Sequence, residues 1–307
     1  MFDPATLITL RSEELRMDPE YPVVLIDSSW VLHRNYYGKR NGHQDNPDFV
    51  GEVSGYLSDL MKLHETFPAG LFIQCLDAKK CEKREIFEDY KSGRPDSKPV
   101  FSHFSEILST AALLPNTYVS YVPNTEADDI LCTLAQAFFS RGFSVYIYTR
   151  DYDMFQALRE GSPEFVRIFW DYSDRKPEIK TVHDCIQKFQ VTPEGFPLYK
   201  SLVGDRSDKY TGYPRMYRES AAQISEYFKT PERLLASTVT PFAPRVQKAL
   251  DRVKSDPYIL ERNYRLAKIQ EGQTPGIYTV PSSWEPLTRF ELHAERSRLA
   301  SLLKQGV

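Results

Sequence analysis

The 307-residue chain lacks the features of membrane-spanning and secreted proteins. No run of about twenty apolar residues is present, which excludes a transmembrane helix. Residues 1–15 contain no basic segment followed by an apolar segment and a small-residue cleavage site, so no secretion signal is expected. We therefore expect a cytoplasmic protein.

Two sequence patterns of other protein classes are also missing. The four cysteines form no C-x-x-C pair, which argues against a zinc site or a disulfide framework. We expect them to be small buried side chains: Cys75, Cys81, Cys132 and Cys185. No G-x-G-x-x-G follows the first predicted strand, so a dinucleotide-binding enzyme is disfavoured.

The charge balance gives little direct information about partners. The formal net charge is −3, but an average conceals where the charges lie. Nine carboxylates are candidate cation ligands, and the rest of the chain carries a net positive charge that suits a polyanion. The 19 Tyr and 18 Phe could stack on bases, although aromatic side chains belong more often to the core.

Apolar runs alternate with helical patterns in the first half of the chain. Strands are predicted at 23–26, 71–76, 118–122 and 144–148. Helical spacing of apolar residues separates the first two strands, and a second helical pattern runs from Thr125 to Gly142. This order predicts an α/β fold with a mostly parallel twisted sheet flanked by helices. We assign the α/β domain to residues 1–177 and a helical domain to residues 178–307.

Three segments depart from this alternation. Residues 79–100 contain seven Lys and Arg and two Pro, and are predicted to form an exposed basic insertion. Residues from about 178 onward look helical and show no convincing pair of strands. Residues 272–286 are rich in turn formers, so we expect a loop before a last amphipathic helix.

Acidic residues follow each predicted parallel strand. The carboxyl ends of parallel strands share one edge, where α/β proteins bind ligands, so these acids should converge on one crevice. Two further acids, within residues 202–208, could complete the crevice from the helical region. The candidate set is Asp27, Asp77, Glu126, Asp128, Asp129, Asp151, Asp153, Asp205 and Asp208.

Each acid also has an ordinary structural explanation. Asp27 could cap a helix, and the acids at 126, 128 and 129 could complement a helix dipole behind an N-cap at Thr125. For that triplet alone, the structural explanation is the better one; the remaining acids could lie in turns. It fails for the whole set, because it gives no reason for acids at every strand end.

Electrostatics gives a reason to expect metal ions. Two like charges about 4 Å apart repel by roughly 4 kcal/mol at an effective dielectric near ~20. A cluster of such pairs therefore requires cations, and oxygen ligands favour hard ions such as Mg²⁺ or Mn²⁺.

Six strings, in this order, resemble the 5′-nuclease family, which includes flap endonucleases, phage 5′→3′ exonucleases and the 5′-nuclease domain of bacterial DNA polymerase I. They cover residues 23–27, 76–77, 87–94, 126–129, 151–156 and 203–208. Any one string is weak evidence, whereas six in the right order are specific. The resemblance covers about residues 23–270. It implies a PIN-like nuclease core and a C-terminal domain of helix-hairpin-helix type.

The resemblance implies roles for individual residues. Four acids match ligands of the metal nearest the scissile phosphate: Asp27, Asp77, Glu126 and Asp128. The other five match ligands or outer-shell partners of further ions. The basic positions of the family's helical arch, which would stabilise charge on the phosphate, are matched by Arg84, Lys91 and Arg94. The candidate DNA-binding residues are Arg34, Lys83, Arg215 and Arg218.

The sequence departs from the family pattern at two places. Ser28 follows the first acid where the family usually has Gly. The hairpin at 212–218 keeps Gly212 but has Arg215 and Tyr217 at two further glycine positions. Those glycines let backbone N–H groups approach a DNA phosphate and a monovalent cation. The usual potassium site is therefore in doubt, and Arg215 and Arg218 could contact phosphate directly.

The activity implied is hydrolysis of DNA phosphodiester bonds by two or more Mg²⁺ or Mn²⁺ ions held about 3.5–4 Å apart. The expected partner is DNA with a 5′ end or 5′ flap, processed as an exonuclease or a flap endonuclease in replication, repair or primer removal. An RNA–DNA hybrid is a second candidate substrate. We expect a monomer, similar to phage and bacterial members by analogy of length.

Three other protein classes have to be weighed against a 5′-nuclease from the sequence alone. A PIN-type ribonuclease shares the acidic edge but would not need residues 178–270. A non-catalytic nucleic-acid-binding protein would bind without turnover, and the full acidic set argues against it. An aspartyl-phosphate phosphatase is disfavoured, because Ser29 stands where a second acid is usually needed.

Overall fold

A nine-stranded sheet forms the centre of the protein. The computed structural model describes residues 8–9, 19–38, 49–78, 82–92, 107–108, 111, 114–161, 164–173, 176–238, 241–270 and 275–279. The strands are β1 (Ile8–Thr9), β2 (Val23–Asp27), β3 (Leu71–Leu76), β4 (Thr117–Tyr121), β5 (Val145–Tyr148), β6 (Arg159–Glu160), β7 (Phe165–Ser173), β8 (Lys176–Lys180) and β11 (Gly276–Thr279). Two short strands, β9 (Gly204–Asp205) and β10 (Tyr210–Thr211), form a separate pair.

The middle of the sheet is parallel. Five neighbouring strands run in the order β4, β3, β2, β5, β7, and every pairing among them is parallel. Antiparallel pairings close the two sides: β11 pairs with β4 and β1 with β11 on one side, and β6 and β8 both pair with β7 on the other. The predicted mostly parallel sheet is therefore confirmed, and the carboxyl ends of five strands lie at one edge.

Helices surround the sheet and continue into the carboxyl-terminal part of the described chain. They are α1 (Ser28–Gly38), α2 (Phe49–Thr66), α3 (Lys83–Ile86), α4 (Ala127–Phe139), α5 (Val182–Phe189), α6 (Phe196–Val203), α7 (Arg218–Phe228), α8 (Pro231–Ala236), α9 (Pro244–Ser255) and α10 (Pro257–Ala267). A short 3-10 helix spans Tyr152–Ala157. Among the described helices, none is long and apolar enough to cross a membrane.

The core has two layers, because side chains alternate along each buried strand. In β2, Val23 and Leu25 pack into the cluster that contains α4, whereas Val24 and Ile26 pack into the cluster with α1 and α2. All five residues of β2 are buried. Asp27 is the last residue of β2 and so lies at the carboxyl end of the central parallel strand.

The helical part shares the hydrophobic cluster on the α4 side of the sheet. Residues of α6, α7, α9 and α10 belong to the same cluster as β2 and α4. The predicted boundary after residue 177 falls inside β8, which pairs with β7. The division into two domains stays a prediction.

Several strands were not predicted. Strand β7 pairs antiparallel with β8 and was missed, although its sequence FVRIFWDYS is rich in residues that favour strands. The expectation of no strand pair after residue 178 is wrong, because β9 pairs with β10. The expected loop at 272–286 is wrong at β11, which pairs antiparallel with β4. Three of the four cysteines are buried thiols as expected, and Cys81 lies outside the described residues.

Candidate metal centre

Six acids from the first half of the chain lie at the carboxyl edge of the parallel strands. Asp27 ends β2 and Asp77 follows β3, while the acids at 126 and 128 open α4 after β4. Asp151 and Asp153 follow β5. The sheet order makes β3, β2 and β5 direct neighbours, so the elements that carry these acids meet at one place.

Asp27 is a buried acid at the centre of this edge. Its Oδ1 accepts a hydrogen bond from the backbone N–H of Trp30 (3.0 Å), and its Oδ2 accepts one from the Thr149 hydroxyl (2.8 Å). It therefore caps α1 and also faces the acids. Burial, and then repulsion from Asp77, raise the pKa of Asp27 to about 7.

Asp77 joins β3 to the start of α4. Its Oδ1 accepts a hydrogen bond from the backbone N–H of Ala127 at 2.7 Å. Thr125 is not the N-cap that the sequence suggested, because Glu126 occupies that position in extended conformation and the Thr125 hydroxyl donates to Pro123 instead. An acid from another strand thus satisfies the first amide of the helix.

Glu126 is enclosed by basic and phenolic groups. The Lys83 ammonium lies 2.9 Å from its Oε2, the Tyr90 hydroxyl donates to the same oxygen at 3.3 Å, and Lys91 pairs with its Oε1. Burial opposes ionisation of this carboxyl, but Lys91 and Lys83 outweigh it and lower its pKa to about 2. Glu126 is therefore ionised at neutral pH.

Asp128, in the first turn of α4, is influenced by the charges of Asp27 at the end of β2 and of Asp151 after β5. Burial raises its pKa well above the usual range, and repulsion from Asp151 and Asp27 adds to the effect. Asp153 behaves similarly: burial, and then the charge of Asp151, raise its pKa to about 6. These repulsions link the two sides of the edge into one acidic cluster.

Three acids form a compact group at the far side of the cluster. Asp153, Asp205 and Asp208 each offer a carboxylate oxygen, and these oxygens lie within 4.8 Å of one another. The predicted contribution of the helical region to the crevice is thus seen in the geometry. Lys200, near the end of α6, lies 2.7 Å from Asp153 Oδ1 and also pairs with Asp205.

The backbone around β9 and β10 positions Asp205. Gly204 has φ +79°, and a Cβ there would lie 2.2 Å from the amide nitrogen of Gly212. A Cβ on Gly212 would lie 2.3 Å from the Leu202 carbonyl oxygen, so both sites require glycine. Asp205 Oδ1 then accepts hydrogen bonds from the backbone N–H and hydroxyl of Ser207. Burial opposes ionisation, but Lys200 and Ser207 lower the Asp205 pKa to about 2.

Asp129 is turned towards the carboxyl-terminal segment. Its Oδ1 accepts a hydrogen bond from the backbone N–H of Gln270 at 2.7 Å. Gln156 makes a similar connection, because its side chain donates to the Ala267 carbonyl and accepts from the Ile269 amide. These bonds fix the chain after α10 against the elements that carry the acids.

The described part of the basic segment, residues 82–92, packs against the acids. Lys83 and Tyr90 are buried, and Phe87 packs with Tyr210 and Leu266. The expectation of an exposed insertion is therefore wrong for Lys83 and Tyr90, whereas the exposed residues of this segment agree with it: Glu82, Arg84, Glu85, Glu88 and Asp89. Lys91 has φ +53°, and its backbone N–H donates to the Asp208 carbonyl. Arg84 is exposed on α3, and Arg94 lies outside the described residues.

Arg34 lies beside the cluster on α1. Its guanidinium pairs with Asp59, lies 3.6 Å from Asp171, and stacks 4.7 Å from the centre of the Trp30 ring. Asp171 also pairs with Arg150. The predicted DNA-binding side chain is thus engaged by two acids, and its contact with DNA stays a prediction.

In the hairpin at 212–218, one of the two residues that stand where the family has glycine still adopts a backbone conformation that favours glycine. Arg215 has φ +58°, in the left-handed region that favours glycine, whereas Tyr217 is extended with φ −86°. Tyr217 is 53% exposed, and the Arg245 guanidinium lies 4.1 Å from its ring centre. Arg215 and Arg218 are exposed. An arginine-rich surface therefore occupies this turn.

Three contributors were missed by sequence reasoning: Thr149, Tyr90 and Lys200. Thr149 bridges two acids, because its hydroxyl donates to Asp27 and accepts from the Asp151 amide. Tyr90 lies inside the string 87–94 and Lys200 lies just before the string 203–208, but the contacts of Tyr90 with Glu126 and of Lys200 with Asp153 join residues distant in sequence. The only local signal for Lys200 is a basic residue in the last turn before the Asp205 loop.

The donor set fits divalent metal ions. All the converging ligands are carboxylates, and the pKa values of Asp27, Asp128 and Asp153 are raised by burial and mutual repulsion. Added positive charge at this edge would relieve that repulsion, and hard cations are the natural partners of oxygen ligands. Lysines neutralise Glu126 and Asp205, whereas no ion pair within the described part of the chain involves Asp27, Asp77 or Asp151.

Comparison with known proteins identifies the family. The sequence model of the 5′-3′ exonuclease N-terminal, resolvase-like domain matches residues 22–190. A 5′-3′ exonuclease of Aquifex aeolicus is 26% identical over 246 residues, which cover 80% of each chain. DNA polymerase I of Bacillus caldotenax is 30% identical over 216 residues, 70% of this chain and 24% of the polymerase. The chain thus spans about a quarter of that polymerase.

A solved structure shares the fold. Bacteriophage T5 flap endonuclease, in a pseudo-enzyme-product complex with DNA and metal ions, matches with a TM-score of 0.60 and 16% identity. The match covers 81% of this chain and 89% of that chain. Fold and sequence together define a nuclease. The chain belongs to the 5′-3′ exonuclease family, as the order of its motifs predicted.

Proposed function

We propose that the protein is a divalent-metal-dependent 5′-nuclease that hydrolyses phosphodiester bonds in DNA, as a 5′→3′ exonuclease and a 5′-flap endonuclease. The observation that carries the proposal is the acidic cluster formed at the carboxyl ends of neighbouring parallel strands. The raised pKa values of Asp27 and Asp153 support it, because burial, and then repulsion from a neighbouring aspartate, disfavours the ionised form of both carboxylates unless a cation is bound.

The ligands of the ions form two groups in this proposal. One group, on the β2, β3 and α4 side, is Asp27, Asp77, Glu126 and Asp128. The other, on the side of the 3-10 helix and the β9–β10 loop, is Asp151, Asp153, Asp205 and Asp208. When bound at such a site, Mg²⁺ or Mn²⁺ activates a water and stabilises the departing oxygen of the phosphodiester. Asp129, whose carboxylate accepts a hydrogen bond from the Gln270 amide, is a ligand or outer-shell partner of the ions of the second group in this proposal.

Basic residues hold the substrate phosphate. Lys91 lies at the edge of the acidic cluster with a partly exposed side chain, so its ammonium can turn from Glu126 to a phosphate oxygen. Arg84 and Arg94 belong to the same segment and would bring further positive charge to that phosphate. No side chain has to act as the nucleophile in this arrangement, because the metal-activated water attacks the phosphodiester.

The helical region would bind the duplex part of the substrate as a helix-hairpin-helix-type element. The support is the exposed arginines of the 212–218 turn and the stacked pair of Arg245 and Tyr217. Arg34 would contact DNA beside the cluster. The T5 flap endonuclease structure, a complex with DNA, supports DNA as the substrate class. We place the cut at a 5′ end or 5′ flap and infer that the protein acts as a monomer in the cytoplasm.

Two alternatives are separated by the substrate. A PIN-type ribonuclease is disfavoured, because α6 and the β9–β10 loop supply Lys200, Asp205 and Asp208 to the cluster. A non-catalytic DNA-binding protein is disfavoured by the family. An RNA strand in a hybrid remains a second substrate to be tested beside DNA.

The test uses three labelled substrates: a 5′-flap DNA, a blunt DNA duplex and an RNA–DNA hybrid. Each is incubated with the protein in Mg²⁺ or in EDTA, with the label at either end. We expect Mg²⁺-dependent cuts at the flap junction and stepwise loss from 5′ ends. Intact substrates in both Mg²⁺ and Mn²⁺, with DNA still bound, would show that the protein only binds DNA.

A further inference from the structure

Lys83 is a buried lysine in the wall of the acidic cluster. Only 5% of the residue is exposed, and its ammonium lies 2.9 Å from Glu126 Oε2. A lysine is rarely this buried unless its charge is paired. The sequence suggested a DNA contact for Lys83, but its burial places the charge against the acids and away from solvent.

The segment that carries Lys83 is anchored on both sides. Before α3, the amides of Ala78 and Glu82 donate to the carbonyls of Thr125 and Asn124, next to the start of α4. At the end of α3 and beyond it, the residues at 86, 87 and 90 pack against β10 and α10. Lys83 is therefore held in place together with Glu126.

The two oxygens of Glu126 differ in their surroundings. Oε2 is contacted by the Lys83 ammonium and by the hydroxyl of Tyr90, both from buried residues. Oε1 is contacted by Lys91, whose side chain is 22% exposed, against 6% for Lys83. Lys91 can leave Oε1 for solvent or substrate, whereas departure of Lys83 would strand a buried ammonium.

We propose that Lys83 is a built-in counter-cation of the metal centre: it occupies Glu126 Oε2, so Oε1 is the oxygen left for a divalent ion, which displaces Lys91. This inference rests on the proposed metal-dependent function. Lys83 is a positioning residue, since it acts through Glu126. Its charge holds the cluster together before metal binds, and it opposes the charge of an incoming ion.

The experiment compares the wild type, Lys83→Met and Lys248→Met, an equal loss of charge at an exposed position of α9. Melting temperature is measured in EDTA and in saturating Mn²⁺, and Mn²⁺ affinity by calorimetry. We expect Lys83→Met to melt several degrees lower in EDTA, to recover most of the difference in Mn²⁺, and to bind Mn²⁺ at least about threefold tighter. The expected affinity of Lys83→Arg, which retains the charge, is that of the wild type.

The other outcomes overturn the inference in distinguishable ways. An equal loss of melting temperature with and without Mn²⁺, at unchanged affinity, would mean that Lys83 only stabilises the fold. If Lys83→Met binds DNA more weakly but Mn²⁺ with unchanged affinity, Lys83 contacts DNA and does not tune the metal centre. If Lys83→Met does not fold, an altered affinity in Lys83→Arg contradicts the inference and an unaltered one supports it. Absence of Mn²⁺ binding by the wild type would instead refute the proposed function itself.

Discussion

The Lys200 ammonium lies 2.7 Å from Asp153 Oδ1 and also pairs with Asp205, so one lysine of α6 joins the acids of the sheet edge to those of the β9–β10 loop. Both carboxylates are mostly shielded from solvent. The acids of the two halves of the protein therefore share a cation that belongs to the chain itself.

Removal of this cation should destabilise the metal-free protein. We expect Lys200→Met to lose about 2–4 kcal/mol of unfolding free energy in EDTA, because two facing carboxylates lose their shared partner. Urea unfolding measures the loss, and Mg²⁺ should restore part of it. A loss no greater than that of Lys248→Met would show that the pair contributes little.

The close approach of two backbones at Gly212 gives a second prediction. Gly212→Ala places a Cβ within 2.3 Å of the Leu202 carbonyl oxygen, which only a backbone shift can relieve. We expect a loss of about 2–4 kcal/mol in thermal or urea unfolding, with weaker metal binding at Asp205. Gly70→Ala is the comparison, because its nearest contact is 3.2 Å and a small adjustment suffices. Equal effects of the two substitutions would contradict the steric argument.

Arg215 combines an unfavourable backbone with a useful charge. The left-handed conformation costs a residue with a Cβ roughly 1–2 kcal/mol. Glycine avoids this cost, but it also gives the unfolded chain more conformational entropy, which offsets part of the gain. We expect Arg215→Gly to leave stability unchanged or raise it by up to about 1 kcal/mol. Its DNA affinity should fall, with a salt-dependence slope smaller by about one.

Arg215→Asn separates the two effects in that experiment. Asn tolerates the left-handed region and carries no charge, so its DNA affinity should match that of Arg215→Gly. Wild-type affinity and salt slope in both variants would show that Arg215 makes no phosphate contact.

His64 predicts a pH dependence of stability away from the metal centre. It stacks on Phe72 with 3.7 Å between ring centres and pairs with the Thr117 hydroxyl, and burial lowers its pKa to about 4. Because the folded-state pKa lies below the unfolded value of about 6.5, its stabilising contribution is complete above pH 6.5 and is lost as pH falls towards 4. The loss is about 1–3 kcal/mol for a partly shielded ring.

The measurement compares urea unfolding at pH 7.5 and pH 5 for the wild type and His64→Phe. Asp27 titrates in the same range with the opposite sign, so only the difference between the proteins reports on His64. We expect the variant to lose less stability than the wild type on acidification. Equal losses of stability in the two proteins would mean that His64 is protonated as easily in the folded protein as in the unfolded chain.

The central sheet could be predicted from the sequence because each of its strands is recognisable from a short stretch of neighbouring residues. The strands β2, β3, β4 and β5 are short apolar runs bounded by turns and followed by acids, and the parallel order brings those acids to one edge. The strands that were missed depend on partners distant in the chain. Gly276–Thr279 becomes a strand because β4 and β1 offer backbone partners, which its turn-rich composition does not show.

The acids were more predictable than the groups around them. A carboxylate at a strand end follows from strand order, but the contact of Lys200 with Asp153 depends on how α6 packs beside the 3-10 helix. Lys83 was misleading for the same reason. A basic residue in a basic segment suggests an exposed charge, and only the packing of α3 against β10 and α10 shows that it is buried.

The most direct test of the central claim is the single-turnover rate of 5′-flap cleavage as a function of Mg²⁺, for the wild type, Asp128→Asn and Asp251→Asn. Asp128 lies in the acidic cluster, whereas Asp251 is exposed on α9 and removes the same charge. We expect Asp251→Asn to match the wild type and Asp128→Asn to lose at least about a hundredfold in rate at every Mg²⁺ concentration. Wild-type cleavage that persists in EDTA, or equal rates for all three proteins, would contradict a metal-dependent centre built on these acids.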